Sequence, residues 1–279
     1  MAGEKIMVDT FTFRGKRLGL QYDSRSDLHS KVACWCLLFD LLEHARNGPG
    51  GPYQLWQDVS DGRLGFRTNH KLIGTTLSKK LDLVVCEVAP TAPLGRHFVD
   101  IASELDIRIE DASDKALFQS LRSAKFHEVG PDHVGNARIV VEAKAAMSDL
   151  VGAMPRLYGE ILASGFVARD AQDARGTPKM VMASLNLVNT SLDFLASTNG
   201  KMRHNGPGDA QRLSKMLADA FRVGLVSKAH RGQGVFDAVG ITPVVCVNDR
   251  KIPVKLDRTL KVPPNARYVQ MVQDICNKY

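Results

Sequence analysis

The sequence has few aromatic residues and no long apolar segment. Aromatic side chains make up 6% of the 279 residues, and they do not alternate regularly with Arg or Lys. A stacking platform for single-stranded nucleic acid is therefore not predicted. No window approaches the roughly 18 apolar residues of a membrane span, and the N-terminal residues lack the apolar segment of a signal peptide. We therefore expect a cytoplasmic protein with no membrane partner.

Several catalytic motifs are also missing. The sequence contains no Walker A loop, dinucleotide fingerprint, Gly-x-Ser-x-Gly elbow or His-Glu-x-x-His segment, which excludes the enzyme classes that depend on them. The five cysteines are odd in number, and no second Cys or His pair stands at zinc spacing from Cys34 and Cys36. We therefore predict buried free thiols in a reducing compartment.

The chain is rich in apolar residues and carries a net positive charge. Its formal net charge is +7 and 44% of its residues are hydrophobic, so a sizeable core and a basic surface are both expected. The basic residues are spread over the chain instead of forming a tail. This distribution favours a polyanionic partner such as nucleic acid.

Apolar periodicity predicts an alternation of helices and strands. The first 25 residues mix short β-like pieces with basic side chains and are predicted to form an N-terminal arm or hairpin, and residues 53–80 form a looser segment. No internal repeat or long linker is present, so we expect one α/β domain over residues 1–279. The predicted helices span residues 27–45, 96–126, 149–163, 208–226 and 268–278, and the predicted strands span residues 81–88, 138–144, 180–188 and 241–247.

The most informative stretch is residues 138–144, which read Arg-Ile-Val-Val-Glu-Ala-Lys. Its β-branched run suits a buried strand better than a helix. Residues i and i+2 of a strand point to the same side, so Glu142 and Lys144 are predicted to project together while Ala143 faces the core. A carboxylate and an amine at a sheet rim can hold a divalent metal ion and position a water molecule beside it.

A second acidic residue, Asp82, lies early in the predicted strand 81–88. With Asp82 on one strand and Glu142-x-Lys144 at the end of another, the chain resembles the PD-(D/E)XK nuclease superfamily, the restriction-endonuclease-like proteins. The resemblance implies a mixed central sheet flanked by helices, with these two strands adjacent. It also implies that Asp82, Glu142 and the backbone carbonyl of Ala143 hold Mg²⁺, with Mn²⁺ as a substitute, and that Lys144 positions the attacking water.

Asp132 competes with Asp82 for the metal ion. Nine residues lie between Glu142 and a Pro-Asp pair ending at Asp132, which matches the written form of the motif. We favour Asp82 because a strand holds a carboxylate rigidly, whereas Asp132 lies in a predicted turn rich in glycine and proline. Asp132 stays open as the alternative ligand, and a solvated strand-end role stays open for the motif residues.

Seven further residues are candidates for supporting the site or contacting DNA, each with an ordinary structural role as its alternative. Arg156 and Glu160 are four apart on a predicted helix, where a surface ion pair is the default. The role of Lys144 is open too: near a cation its pKa can fall so that it acts as a base, or it can stay charged and stabilise the phosphate. The seven residues are Glu43, Asn69, His70, Lys79, Lys80, Arg156 and Glu160.

The sequence therefore predicts a Mg²⁺-dependent DNA endonuclease of restriction type, which serves defence against foreign DNA. By analogy with the fold, it would be a homodimer if it cuts both strands symmetrically. Two alternatives share the fold. One is a non-catalytic DNA-binding protein whose acidic residues hold no metal ion. The other is a nickase or repair nuclease, which has the same site and a different substrate geometry.

Overall fold

The computed structural model describes residues 1–75, 77–175, 179–197, 199–220 and 234–279. Helices and strands alternate along the chain, as the apolar periodicity predicts. No helix within these ranges has the length and apolarity to cross a membrane. The helices are α1 (Ala2–Leu18), α2 (Leu28–Asn47), α3 (Gln54–Ser60), α4 (Phe98–Glu104), α5 (Ala112–Ser120), α6 (Leu150–Arg175), α7 (Asp209–Ala220) and α8 (Tyr268–Lys278). The strands are β1 (Leu64–Ile73), β2 (Ser78–Val88), β3 (Val134–Ala146), β4 (Val181–Asn189), β5 (Asp193–Leu195), β6 (Met202–His204), β7 (Ala238–Val245) and β8 (Lys255–Leu256).

Six of the strands form one mixed sheet with the order β1-β2-β3-β4-β7-β8. β1, β2 and β3 pair antiparallel, β3, β4 and β7 run parallel, and β8 is antiparallel to β7 at the edge. Parallel neighbours need a crossover connection, and α6 supplies the one between β3 and β4. β5 and β6 form a separate two-stranded ribbon after β4. The carboxyl ends of β3, β4 and β7 therefore meet at one edge of the sheet.

Helices cover both faces of the sheet, and each face has its own apolar core. Ile139 and Val141 of β3 point to the face that α1, α2 and α8 cover, whereas Val140 points to the face that α6 and α7 cover. α2 is buried almost all round because α1 and α8 also pack against it, as expected for a helix enclosed in a core. All five cysteines are buried and free, which confirms the predicted thiols.

The first helix shows that the predicted N-terminal arm or hairpin is wrong. Ile6 and Phe11 of α1 are buried in the same core as α2, and this packing overrides the β-like composition of the segment. Gly3 lets the two helices approach closely, since a Cβ there would lie 2.4 Å from the backbone oxygen of Cys36. The N–H of Gly3 donates to Asp40 Oδ1 at 2.9 Å. α1 is therefore part of the core.

Several other elements differ from the predicted boundaries. Residues 53–80 are not loose, because they contain α3, β1 and the start of β2. The predicted helix 96–126 is two short helices, and Asp111 caps the start of the second, as aspartate commonly does. Pro155 lies inside α6, past its first turn. The part of the predicted helix 208–226 that follows α7 lies outside the described residues.

Candidate active site

Asp82 and Glu142 lie beside each other on the neighbouring strands β2 and β3. The antiparallel ladder pairs Leu83 with Val141, so the next position along each strand brings the two acidic residues together. Asp82 Oδ2 accepts the backbone N–H of Ala143 at 2.8 Å. The aspartate side chain therefore reaches the middle residue of the Glu-x-Lys segment, and the two predicted carboxylates share one site.

β2 is irregular at Asp82. Leu81 and Leu83 would share a face in a regular strand, but Leu83 joins the core under α2 and Leu81 joins the core under α6. At the facing position in β1, Asn69 has a positive φ of 56°, a conformation that asparagine tolerates. Its amide donates to Asp27 Oδ2 at 3.1 Å, at the start of α2. At this irregular position the Asp82 side chain points toward β3 and reaches Ala143.

Glu142 is a buried carboxylate with one unpartnered oxygen. Its side chain is 1% exposed, and Oε1 lies 2.6 Å from Lys144 Nζ and 3.9 Å from Lys79 Nζ. Oε2 has no hydrogen-bond partner among the described residues. Burial raises the pKa of Glu142 above its ordinary value, while Lys144 opposes the rise and Asp82 adds to it. A cation at Oε2 would stabilise the charged form.

Lys144 is held in its charged form. Burial alone would lower its pKa, but attraction by Glu142, Asp82 and Glu160 outweighs burial, and the pKa is raised overall. Its Nζ lies 3.6 Å from Glu160 Oε2, and Glu160 Oε1 lies 3.7 Å from Arg156 Nε. Arg156 and Glu160 thus form the predicted ion pair, and Glu160 also contacts the lysine of the motif. In this state Lys144 is an ammonium group at neutral pH and not a free base.

Two buried polar residues of β4, Ser184 and Asn186, extend the site beyond the motif. The parallel ladder pairs Ser184 with Glu142 and Asn186 with Lys144, so all four side chains leave the sheet on the face that α6 covers. Asn186 donates to Ser184 Oγ at 2.9 Å, and its Oδ1 has no partner in the described part of the chain. The sequence signal that could have identified them is the presence of two polar residues in an otherwise apolar strand, since buried polar groups need partners.

The start of α2 forms another wall of the site. The ring of His29 contacts the ring of Tyr22, with centroids 4.8 Å apart. Burial lowers the pKa of His29 and the charge of Asp82 acts against this, which places the imidazole near that carboxylate. Cys34 is buried near Asp82 and Glu142, whose charges add to the effect of burial in raising its pKa. Neither His29 nor Cys34 belongs to a sequence motif.

Asp132 and Glu43 lie away from the site. Asp132 is in a short 3₁₀ turn before β3, ten positions before Glu142 and roughly 30 Å away along an extended strand. The structure therefore brings Asp82, and not Asp132, next to the Glu-x-Lys segment. Glu43 is nine residues after Cys34, roughly 13 Å along α2, and it is close to Cys276 of α8. The structure therefore does not bring Glu43 next to the two carboxylates.

The remaining candidates, His70, Lys79 and Lys80, lie on β1 and β2 near Asp82. β2 begins before both lysines, so they belong to the strand and not to the loop that precedes it. Lys79 is partly buried and reaches Glu142, Lys80 is exposed, and His70 lies in the ladder between β1 and β2. Lys79 therefore borders the carboxylates from the β2 side.

The donor atoms at the site fit a hard divalent cation. The carboxylates of Asp82 and Glu142 and the backbone carbonyl of Ala143 are oxygen donors, which Mg²⁺ prefers, and water completes its coordination. The unpartnered Oε2 of Glu142 is the observation that favours a cation here. Among the described residues, no group of three His, Cys, Asp or Glu side chains is arranged to hold a metal ion. Binding would therefore depend on two side chains.

Comparison with known proteins adds no relative. No family model, no curated protein and no solved structure matches this chain. The function has to be inferred from the geometry of the site and from the motif that carries the resemblance.

Proposed function

We propose that this protein is a Mg²⁺-dependent DNA endonuclease of restriction type, with a restriction-endonuclease-like fold, that hydrolyses phosphodiester bonds. The observation that carries the proposal is the buried carboxylate of Glu142, whose Oε2 has no partner among the described residues while Asp82 and Lys144 lie beside it. A buried charge is costly unless it is paired and hydrogen-bonded. Buried acidic groups whose pKa is shifted by burial and by charged neighbours concentrate at functional sites.

Each residue has a distinct role in this chemistry. A bound Mg²⁺ would supply Lewis acidity and a water molecule of lowered pKa. Asp82 and Glu142 would hold the ion, and the N–H of Ala143 fixes the orientation of the Asp82 carboxylate. Lys144, an ammonium group here, offsets negative charge on the phosphate as the bond breaks. Glu160 holds that ammonium from the α6 side.

Positive charge around the carboxylates supports DNA as the substrate. Lys79 and Lys80 lie on the β2 side and Arg156 lies on the α6 side, in a chain of net charge +7. Such charges position a phosphate backbone without reading its sequence. Defence against foreign DNA in the cytoplasm, and a homodimer that cuts both strands, are parts of this proposal that follow from the resemblance to restriction enzymes.

Incubation of the purified protein with supercoiled plasmid tests the proposal. We expect nicking or linearisation with Mg²⁺ or Mn²⁺ and none with a chelator. Glu142→Ala and Lys144→Ala are expected to lose cleavage and to retain folding and DNA binding. Parallel assays with methylated and unmethylated plasmids test whether cleavage depends on DNA modification. Tight DNA binding without cleavage of any plasmid would contradict the nuclease function.

A non-catalytic DNA-binding protein on the same fold is the second candidate. The observation that favours it is the contact of Lys144 Nζ with Glu142 Oε1 at 2.6 Å, an ion pair that satisfies one carboxylate oxygen without a metal ion. The plasmid assay separates the candidates, because a binding protein has no metal-dependent cleavage to lose. A nickase or repair nuclease would share the site and would stop at open circular DNA.

A further inference from the structure

The β5–β6 ribbon lies at the sheet edge where the candidate site lies. Asn205, directly after β6, donates its side-chain amide to the backbone oxygens of Ser191 at 2.8 Å and Met147 at 3.4 Å, and Met147 directly follows β3. The N–H of Leu195 in β5 donates to the backbone oxygen of Val247, which follows β7. The base of the ribbon is therefore tied to the carboxyl ends of β3 and β7.

The inner side of the ribbon contacts a wall of the site. Phe194 of β5 is buried, and its ring centroid lies 6.1 Å from that of Tyr22. Tyr22 contacts His29, the residue near Asp82. Burial raises the pKa of Tyr22 to about 12, and the charge of Arg156 acts against the rise, which places Arg156 near the same ring. The ribbon therefore packs against the wall that Tyr22 and His29 form beside the candidate site.

Two cations lie on the outer side of the ribbon, Arg203 in β6 and Lys201 directly before that strand. Neither forms a salt bridge within the described ranges, whereas His204 is paired with Asp193 across the ribbon at 2.7 Å. Arg203 is directly opposite Phe194, and opposed residues share a face. Arg203 therefore leaves the ribbon on the same face as Phe194, and Lys201 is exposed directly before β6.

The exposure and shape of the ribbon fit duplex DNA. Every residue of β6 is exposed, and in the described part of the chain β6 pairs only with β5. A two-stranded ribbon is narrow enough to enter the major groove, and cations without a partner attract backbone phosphates. The charge and the width of the ribbon therefore both fit duplex DNA.

We propose that the β5–β6 ribbon holds duplex DNA across the carboxylate site, with Lys201 and Arg203 bound to backbone phosphates beside the scissile bond. The inference rests on the proposed nuclease function, since it assigns a binding element to the substrate of that function. Phosphate contacts position a duplex and carry no sequence information. The ribbon therefore sets the affinity for DNA and not the rate of bond cleavage in the bound complex.

Binding of a labelled duplex to the cleavage-silent Glu142→Gln protein tests the ribbon. Adding Lys201→Gln with Arg203→Gln is expected to weaken binding about 10-fold or more at moderate salt. The slope of log affinity against log salt should fall by about 2, roughly one for each phosphate contact. The matched control is Lys115→Gln with Lys125→Gln, which removes the same charge at exposed positions outside the ribbon.

The inference would be overturned if the ribbon variant bound DNA with the same affinity and salt slope as the Glu142→Gln protein. It would also be overturned if the control variant lost as much affinity as the ribbon variant. The chain with no substitutions keeps the two proposals separate. If that chain cuts DNA and the ribbon variant binds as tightly, the ribbon inference fails and the nuclease stands. If it neither binds nor cuts DNA, the nuclease function fails. With intact Glu142, saturating DNA is expected to restore the full cleavage rate to the ribbon variant, which a misfolded protein would not show.

Discussion

Glu142 in β3 and Asp40 in α2 are deeply buried carboxylates whose surroundings differ. Both are at most 1% exposed, and Glu142 Oε2 and Asp40 Oδ2 both lack a hydrogen-bond partner among the described residues. Burial raises the pKa of both groups, that of Asp40 to about 7. Glu142 has lysine Nζ atoms at 2.6 and 3.9 Å. Asp40 forms no side-chain salt bridge within those residues and accepts the N–H of Gly3 at 2.9 Å.

The two surroundings suit different ionisation states. Around Asp40, the Gly3 N–H and the nearby Tyr268 hydroxyl oppose the rise in pKa and leave it near neutrality, although the hydroxyl does not reach hydrogen-bond geometry. Around Glu142, side-chain cations lie at the edge of the sheet and favour the charged form. Burial alone therefore does not separate Glu142 from Asp40. The charges beside the carboxylate distinguish the two.

The largest expected effect is the loss of cleavage when Glu142 is replaced. Glu142→Gln is expected to lower the cleavage rate roughly 1,000-fold or more, because a metal ion supplies several kcal/mol of transition-state stabilisation. Asp40→Asn removes an equally buried carboxylate and should leave the rate within a few-fold of the unchanged protein. Plasmid cleavage under single-turnover conditions measures both. Equal losses in the two variants would mean that burial, and not the neighbouring charges, decides which acid matters.

Asp82→Asn sharpens the comparison at the second carboxylate. Asparagine can still accept the N–H of Ala143, so the variant loses the charge and keeps the hydrogen bond. We expect cleavage to fall by roughly 100-fold or more. Asp132→Asn is the matched control, and its cleavage should be unchanged because Asp132 lies at the far end of β3. A larger loss in Asp132→Asn than in Asp82→Asn would reverse the ligand assignment.

The raised pKa of Asp40 predicts that the stability of the protein depends on pH. Its folded pKa of about 7 exceeds the ordinary value of 3.8, so between these pH values the folded state binds more protons than the unfolded state. The free energy of unfolding should therefore fall as pH rises from about 4 to about 7, by on the order of 3 kcal/mol. Asp40→Asn keeps an acceptor for the Gly3 N–H and should remove most of this fall. Urea unfolding across that pH range measures it, and an unchanged slope in the variant would assign the fall to another group.

The smallest effect is expected at Glu160. Its contacts with Lys144 and Arg156 are partly exposed, and such ion pairs contribute at most about 1 kcal/mol. Glu160→Gln should change the cleavage rate by less than about 5-fold, which corresponds to that energy. Glu43→Gln, away from the site on α2, serves as the control with no expected change. A loss as large as that of Glu142→Gln would make Glu160 a direct ligand.

The fold was predictable where periodicity is strong and local. α8 matches its predicted range, because Met271, Val272, Ile275 and Cys276 repeat at helical spacing and are all buried. α1 was not predictable in this way, since its packing depends on Gly3 and on the surface of α2, which lies elsewhere in the sequence. Tertiary contacts thus decide elements whose local pattern is weak.

The site was predictable only where its residues form a motif. Glu142 and Lys144 are two apart on one strand, so the period of the strand already places them together. His29, Ser184 and Asn186 come from other elements and have no fixed spacing to the motif. Only the sheet order and the packing of α2 bring them to the same edge.

Binding of Mn²⁺ to the protein without DNA, followed by electron paramagnetic resonance, tests most directly whether Asp82 and Glu142 together hold a divalent cation. We expect bound Mn²⁺ in the chain with no substitutions, and its loss in both Asp82→Asn and Glu142→Gln. Asp40→Asn and Asp132→Asn should retain the bound ion. Mn²⁺ binding that is equal in Glu142→Gln and in the unsubstituted chain, or absent from both, would contradict the metal site.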